Sequence, residues 1–137
     1  MADDGSRIVE LTRQNFAASI NDHPFAVVDF WAPWCAPCRA FAPVFAAAAD
    51  RHPDALFGKV NTEEQRELAA YFQIRSIPTL AIFRDNIIVF SEPGALPPAE
   101  LEQVLLQAQA LDMAELRKSI EAQSEDQPPP DGYRSDR

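Results

Sequence analysis

The sequence predicts an α/β fold in which a mixed central β-sheet carries helices on both faces. Three observations predict it. Strand-like and helix-like hydrophobic patterns alternate along the chain and then close with a hairpin pattern. Residues 25–31 form a nearly continuous apolar run, as a strand covered on both faces requires. The 137 residues suffice for one domain with a real core and hardly for two.

Residues 8–11 read as a short first strand. Thr12 is an N-cap candidate for a helix through Asn21, with Phe16 and Ile20 four positions apart on one face. After the strand 25–31, Phe41, Val44, Phe45 and Ala48 mark a helical stripe running to near Asp50. Pro37 suits its first turn, and Pro43 inside it is expected to kink it. Residues 56–60 form the next strand, and Thr62-Glu63-Glu64-Gln65 has the pattern of a capping box opening a helix that ends near Phe72. Residues 79–83 and 87–90 are strands joined by a tight Arg84-Asp85-Asn86 turn. Pro97-Pro98 introduces a last core helix, with Leu101, Val104, Leu105 and Ala108 facing inward. Strand–helix–strand units imply parallel pairing with right-handed crossovers, and the hairpin adds antiparallel pairing.

The composition changes after this helix. Residues 1–110 are expected to form the domain and 111–123 a short helix opened by Asp112-Met113-Ala114-Glu115, with Met113, Leu116 and Ile120 on one face. That apolar edge is expected to fold back onto the domain or to meet a partner. Residues 124–137 contain Pro128-Pro129-Pro130 and almost no apolar side chains, so they are expected to be a disordered tail.

Composition excludes several classes of function. A net charge of −9 argues against nucleic acid as a partner, because phosphate binding needs a basic face. With 47% hydrophobic residues and 9% aromatics the chain reads as globular. No stretch approaches the roughly 20 apolar residues of a membrane helix, so no membrane association is expected. Met1-Ala2-Asp3-Asp4-Gly5-Ser6 lacks the basic and apolar regions of a signal peptide, and a cytoplasmic location is the expectation.

Both cysteines lie in Trp34-Cys35-Ala36-Pro37-Cys38, at a junction between a strand and a helix. Two thiols at this spacing can close and reopen a small disulfide ring. A thiol at a helix start ionises more easily, because unpaired N–H groups and the helix dipole favour negative charge. The competing use of such a pair is a metal site. Zinc takes about four ligands, and beyond the cysteines the chain offers only His23 and His52, neither at ligand spacing. No metal is expected. Both histidines read as solvated or helix-capping residues, and Glu63, Glu64 and Glu67 as a solvated helix face.

Val28-Asp29-Phe30-Trp31-Ala32, Trp34-Cys35-Ala36-Pro37-Cys38, Pro43, Lys59-Val60-Asn61, Ile74-Arg75-Ser76-Ile77-Pro78-Thr79 and Gly94-Ala95 together resemble the thioredoxin family, in its order and at closely similar spacings. The resemblance covers residues 7–108. It implies the thioredoxin fold and a thiol–disulfide oxidoreductase that reduces protein disulfides. The redox-active Cys35–Cys38 pair would serve in place of any bound cofactor. It also implies disulfide-containing protein substrates, a thioredoxin reductase drawing on NADPH, and a monomer. Pro37 before the second cysteine matches the reducing members of the family. The alternative is a binding module or co-chaperone of the same fold with little turnover, suggested by the C-terminal extension.

Carried over residue by residue, the resemblance makes Cys35 the exposed nucleophile and Cys38 the more buried resolving thiol. Asp29, an acid in the most apolar strand, becomes the proton acceptor for Cys38 through water, and Lys59 the lysine that holds its charge. Read from the residues alone, Asp29 could instead belong to a structural ion pair. Pro78 is implied to follow a cis peptide bond. Trp34, Ile77, Pro78, Gly94 and Ala95 are implied to form an apolar docking patch around Cys35. Trp31 either supports this motif from beneath or touches substrate. Ala36, Gln73, Ser76 and Asn86 stand where the family often carries glycine.

Overall fold

The computed structural model describes residues 7–126. Its order is β1 (Val9–Glu10), α1 (Phe16–Asn21), β2 (Phe25–Trp31), α2 (Ala36–Arg51), β3 (Leu56–Asn61), α3 (Arg66–Tyr71), β4 (Thr79–Arg84), β5 (Ile87–Pro93), α4 (Pro98–Gln109) and α5 (Met113–Asp126). The strands form one sheet in the order β1-β3-β2-β4-β5. β1, β3 and β2 pair in parallel, whereas β4 pairs antiparallel with β2 and β5 antiparallel with β4. The mixed sheet is the one the alternation predicts.

The apolar run occupies the middle of this sheet. Phe25, Ala26, Val27, Val28 and Phe30 are buried, because α2 and α4 cover one face of β2 and α1 and α3 the other. Val27 joins Phe41 and Phe45 of α2 and Leu101 and Leu105 of α4, whereas Val28 and Phe30 join Phe16, Ile20 and Leu68. Each large apolar side chain so covered contributes roughly 1.5–3 kcal/mol relative to exposure. Alternation puts Asp29 and Trp31 on the α2 side with Val27. Leu101, Leu105 and Ala108 of α4 are buried and Val104 packs against them, as its spacing predicts.

Several element boundaries differ from expectation, and each has a local cause. Thr12 caps the turn that leads into α1: its hydroxyl accepts the Asn15 N–H at 3.4 Å, its own N–H donates to Asn15 Oδ1 at 2.7 Å and its carbonyl accepts from Phe16, so the regular helix begins only at Phe16. Thr62 does not cap α3, which begins only at Arg66. Its N–H and hydroxyl both donate to the Trp31 carbonyl, at 2.8 and 3.0 Å, and so tie the end of β3 to β2. β5 extends past Phe90 to Pro93 and takes up a register irregularity opposite Ile82 and Phe83. The hairpin tip is Asp85-Asn86, both at positive φ (52° and 72°), the conformation of a two-residue turn. α2 continues past Pro43 to Arg51.

The extension packs on the domain. Arg84 donates to the carbonyls of Ala108 and Gln109 at 2.7 and 2.9 Å, and Asp112 Oδ1 accepts the Glu115 N–H at 3.1 Å as the expected cap. Met113 is buried, Leu116 half-buried and Ile120 exposed, and Arg117 pairs with Asp85 at 3.0 Å. The helix runs to Asp126, three residues beyond the expected boundary at 123. No proline interrupts this stretch of chain before Pro128. Of the expected disordered tail, 127–137 lie outside the described residues.

Candidate active site

The two cysteines sit where β2 hands the chain to α2. Pro37 in the first turn has the dihedral a helix start requires and no N–H left to satisfy. Cys35, still extended at φ −89°, is the N-cap, and its Sγ accepts the N–H of Cys38 at 3.2 Å. A disulfide joins Cys35 and Cys38. The expected ordering of exposure is narrow in this oxidised form: Cys35 is 4% exposed and Cys38 1%. Ala32 completes their buried cluster, and Trp31 and Ile77 pack against it. Trp31 therefore supports the motif from within.

Asp29 is wholly buried, and neither carboxylate oxygen has a hydrogen-bond partner among the described residues. Burial raises its pKa from 3.8 to about 7, against the opposing field of Lys59. Lys59 holds the facing register position on β3. Its ammonium, however, lies 4.4 Å from the centre of the Trp31 ring. The pair is one of proximity and field rather than a direct hydrogen-bonded bridge.

The peptide bond between Ile77 and Pro78 is cis, as the resemblance implies. The carbonyl oxygen of Ile77 lies 3.8 Å from Cys35 Sγ. The Pro78 carbonyl accepts the N–H of Gly94 at 2.8 Å, where Gly94 adopts φ 114°. Trp34 is 65% exposed and Gly94 and Ala95 are exposed, whereas Ile77 is half-buried. Pro78 itself is buried, so it underlies the expected patch rather than facing solvent with it.

Three contacts escaped the sequence reading. The indole of Trp34 donates to Glu63 Oε2 at 3.0 Å. Asn61 Oδ1 accepts the N–H of Glu63 at 2.9 Å, and Arg39 donates to the Pro33 carbonyl at 2.9 Å. The parallel pairing of Trp31 with Asn61 brings the β3–α3 turn beside the cysteine loop, a relationship invisible in local sequence. Glu63 and Glu67 also pair with Arg66 and Arg13, so the acidic cluster is not simply solvated. His52 is not solvated either: it ends α2 and bonds Glu102 of α4 at 2.9 Å. His23 contacts the Ser19 carbonyl through Nδ1 at 2.7 Å.

Among the described residues no group of three or more His, Cys, Asp or Glu is placed to hold a metal ion. No helix among them is long and apolar enough to cross a membrane. A large open groove of about 990 Å³ is lined by Phe16, Ile20, Leu68, Tyr71, Phe72 and Ile88 among others, on the sheet face opposite Asp29. The chemistry available at the cysteines is reversible dithiol–disulfide exchange.

The family model described as Thioredoxin matches residues 7–107. A Streptomyces coelicolor protein assigned as thioredoxin 2 is 53% identical over 115 residues, covering 84% of this chain and 86% of that protein. Thioredoxin 1 of Synechococcus elongatus is 48% identical over 80 residues, 58% of this chain and 75% of that protein. The crystal structure of mitochondrial thioredoxin 3 from Saccharomyces cerevisiae in its oxidised form aligns with a TM-score of 0.68 at 28% identity. It covers 73% of this chain and 94% of that one.

Proposed function

The chain belongs to the thioredoxin family and is a protein-disulfide oxidoreductase, and on that premise we propose that it works in the reducing direction, with Cys35 attacking and Cys38 resolving. The Cys35 thiolate attacks one sulfur of a substrate disulfide, forming a mixed disulfide and releasing the other sulfur as a thiolate. Cys38 then loses its proton and attacks Cys35 Sγ, closing the intramolecular disulfide and releasing the second substrate thiolate. The substrate gains two electrons and the Cys35–Cys38 pair loses them.

One observation carries this division of roles. Cys35 caps α2, and its sulfur accepts the Cys38 N–H. The same N–H and the helix dipole would stabilise a Cys35 thiolate, whereas Cys38 lies inside the helix without such a terminus. Asp29, close to neutral in pKa, suits the proton acceptor for Cys38, since a base works best near the operating pH. Trp34, Ile77, Gly94 and Ala95 would receive an extended substrate segment, with Pro78 supporting Ile77 from below.

A reductase drawing on NADPH would reset the disulfide, and the working form would be a monomer. A cytoplasmic location belongs to the same reading, supported by a composition that puts both cysteines into one redox pair. The test is reduction of the insulin interchain disulfides in the presence of dithiothreitol. Wild type should accelerate precipitation and Cys35→Ser should not; equal activity of the two would refute the reading.

A further inference from the structure

Asp29, Lys59 and Glu10 occupy one row across three parallel strands, because Lys59 is the register partner of both carboxylate residues. The row runs from buried Asp29 on β2, through half-buried Lys59 on β3, to exposed Glu10 on β1. A lysine stem on the neighbouring strand can reach a carboxylate at its own register position, yet Asp29 has no hydrogen-bond partner among the described residues. The ammonium lies instead over the Trp31 ring, 4.4 Å from its centre. There it borders a shallow cleft of about 270 Å³, lined by Ile8, Val9, Glu10, Trp31, Lys59 and Asn61.

We propose that Trp31 is a positioning residue for proton transfer: its ring seats the Lys59 ammonium at the cleft and so keeps that cation from pairing directly with the buried Asp29 carboxylate. The inference rests on the reading of Asp29 as proton acceptor and adds the device that controls it. Two seats compete for one cation. Over the indole face it is attracted by the ring quadrupole and remains at an opening to solvent. Against Asp29 it would gain a full ion pair but lose its hydration in the interior, where burying both charges is costly. A lysine drawn inward would hold Asp29 ionised and leave it a poorer acceptor for the Cys38 proton. The remaining neighbours on this face do not compete for the lysine: β4 presents Leu80 beside Asp29, and α2 and α4 contribute Phe41, Phe45, Leu101 and Leu105. Glu10 is the other charged group on the row, on the far side of Lys59.

The test is the titration of Asp29 itself, read from its carboxyl carbon by NMR in the oxidised full chain. Wild type should show a midpoint near 7. Trp31→Leu should lower it by about one pH unit, a tenfold change in the ratio of ionised to protonated acid, and Trp31→Phe, which keeps a ring, by less. In a Lys59→Met background, Trp31→Leu should produce no further change. An unchanged or raised midpoint in Trp31→Leu, or the same drop without Lys59, would overturn the proposal. If Trp31→Leu does not fold, fluorinated tryptophan in a Trp34→Phe background weakens the ring face without changing its shape. A graded fall in the midpoint then supports the seat, and no fall refutes it. These titrations do not depend on turnover, so the acceptor role is tested separately, by the rate of mixed-disulfide resolution in Asp29→Asn.

Discussion

Asp29 and Lys59 face each other at one register position of adjacent parallel strands, yet the lysine's ammonium rests over Trp31 and both Asp29 oxygens lack a hydrogen-bond partner among the described residues. An ionisable group is thereby kept in the interior without direct neutralisation. Such a group costs stability whenever it is charged. An unpaired acid buried in the most apolar strand fits a group held for proton transfer rather than for folding.

The cost should be visible as pH dependence. Folding raises the Asp29 pKa from 3.8 to about 7, so the folded state takes up a proton. The contribution is favourable below the unfolded value, is lost as pH rises toward about 7, and stays lost above it. At about 1.4 kcal/mol per pH unit, the span amounts to on the order of 4 kcal/mol. Urea unfolding of oxidised wild type and Asp29→Asn across this range should show the difference in stability shifting steadily in favour of the variant as pH rises. A difference independent of pH would mean that Asp29 is not so perturbed.

Much of this was legible in the sequence, for reasons that particular residues make plain. The run from Phe25 to Trp31 announces a central strand because both its faces are covered, and the spacing of Leu101, Leu105 and Ala108 announces the buried side of α4. The disulfide-forming pair and the cis proline after Ile77 were readable through the joint pattern of their motifs. What was not legible is tertiary. Thr62 looks like a cap until the Trp31 carbonyl, thirty-one positions earlier, claims its hydroxyl. The bond from Trp34 to Glu63 and the seat of Lys59 on Trp31 likewise depend on which strands become neighbours.

Gln73 stands at the end of α3 with φ 55°. Its N–H bonds the Ala70 carbonyl and the N–H of Ile74 bonds that of Ala69, the paired closure that favours glycine at this position. Gln73→Gly should relieve a left-handed conformation costing about 1–2 kcal/mol, less the greater chain entropy of glycine at about 0.5–1 kcal/mol. The midpoint of urea unfolding should rise modestly, and a fall would show that the glutamine side chain contributes more than its backbone costs.

Gly58 on β3 lies against β1. A Cβ there would meet the Cδ1 and Cγ of Leu11, the latter at 2.7 Å, and Leu11 is fully buried. Gly58→Ala should therefore destabilise by about 1–3 kcal/mol, the usual range for overpacking a core. Thermal unfolding checks this, and an unchanged midpoint would mean that Leu11 has room to yield.

The extension should matter for stability and not for chemistry. Ending the chain after Leu111 preserves the Arg84 contacts to α4 but removes buried Met113 and the pair between Arg117 and Asp85. The loss should be about 1–2 kcal/mol, mostly from Met113, since exposed ion pairs contribute little. Insulin reduction should be unchanged, and its loss on truncation would place α5 in the active site.

The division of labour between the cysteines is tested most directly by trapping the mixed disulfide. Reduced Cys38→Ser and Cys35→Ser variants are each mixed with a disulfide-containing peptide at neutral pH and followed by mass spectrometry. Cys38→Ser should accumulate a peptide adduct on Cys35, because attack proceeds and resolution is blocked, while Cys35→Ser should stay unmodified. Adduct formation on Cys38 at an equal or faster rate would contradict Cys35 as the nucleophile.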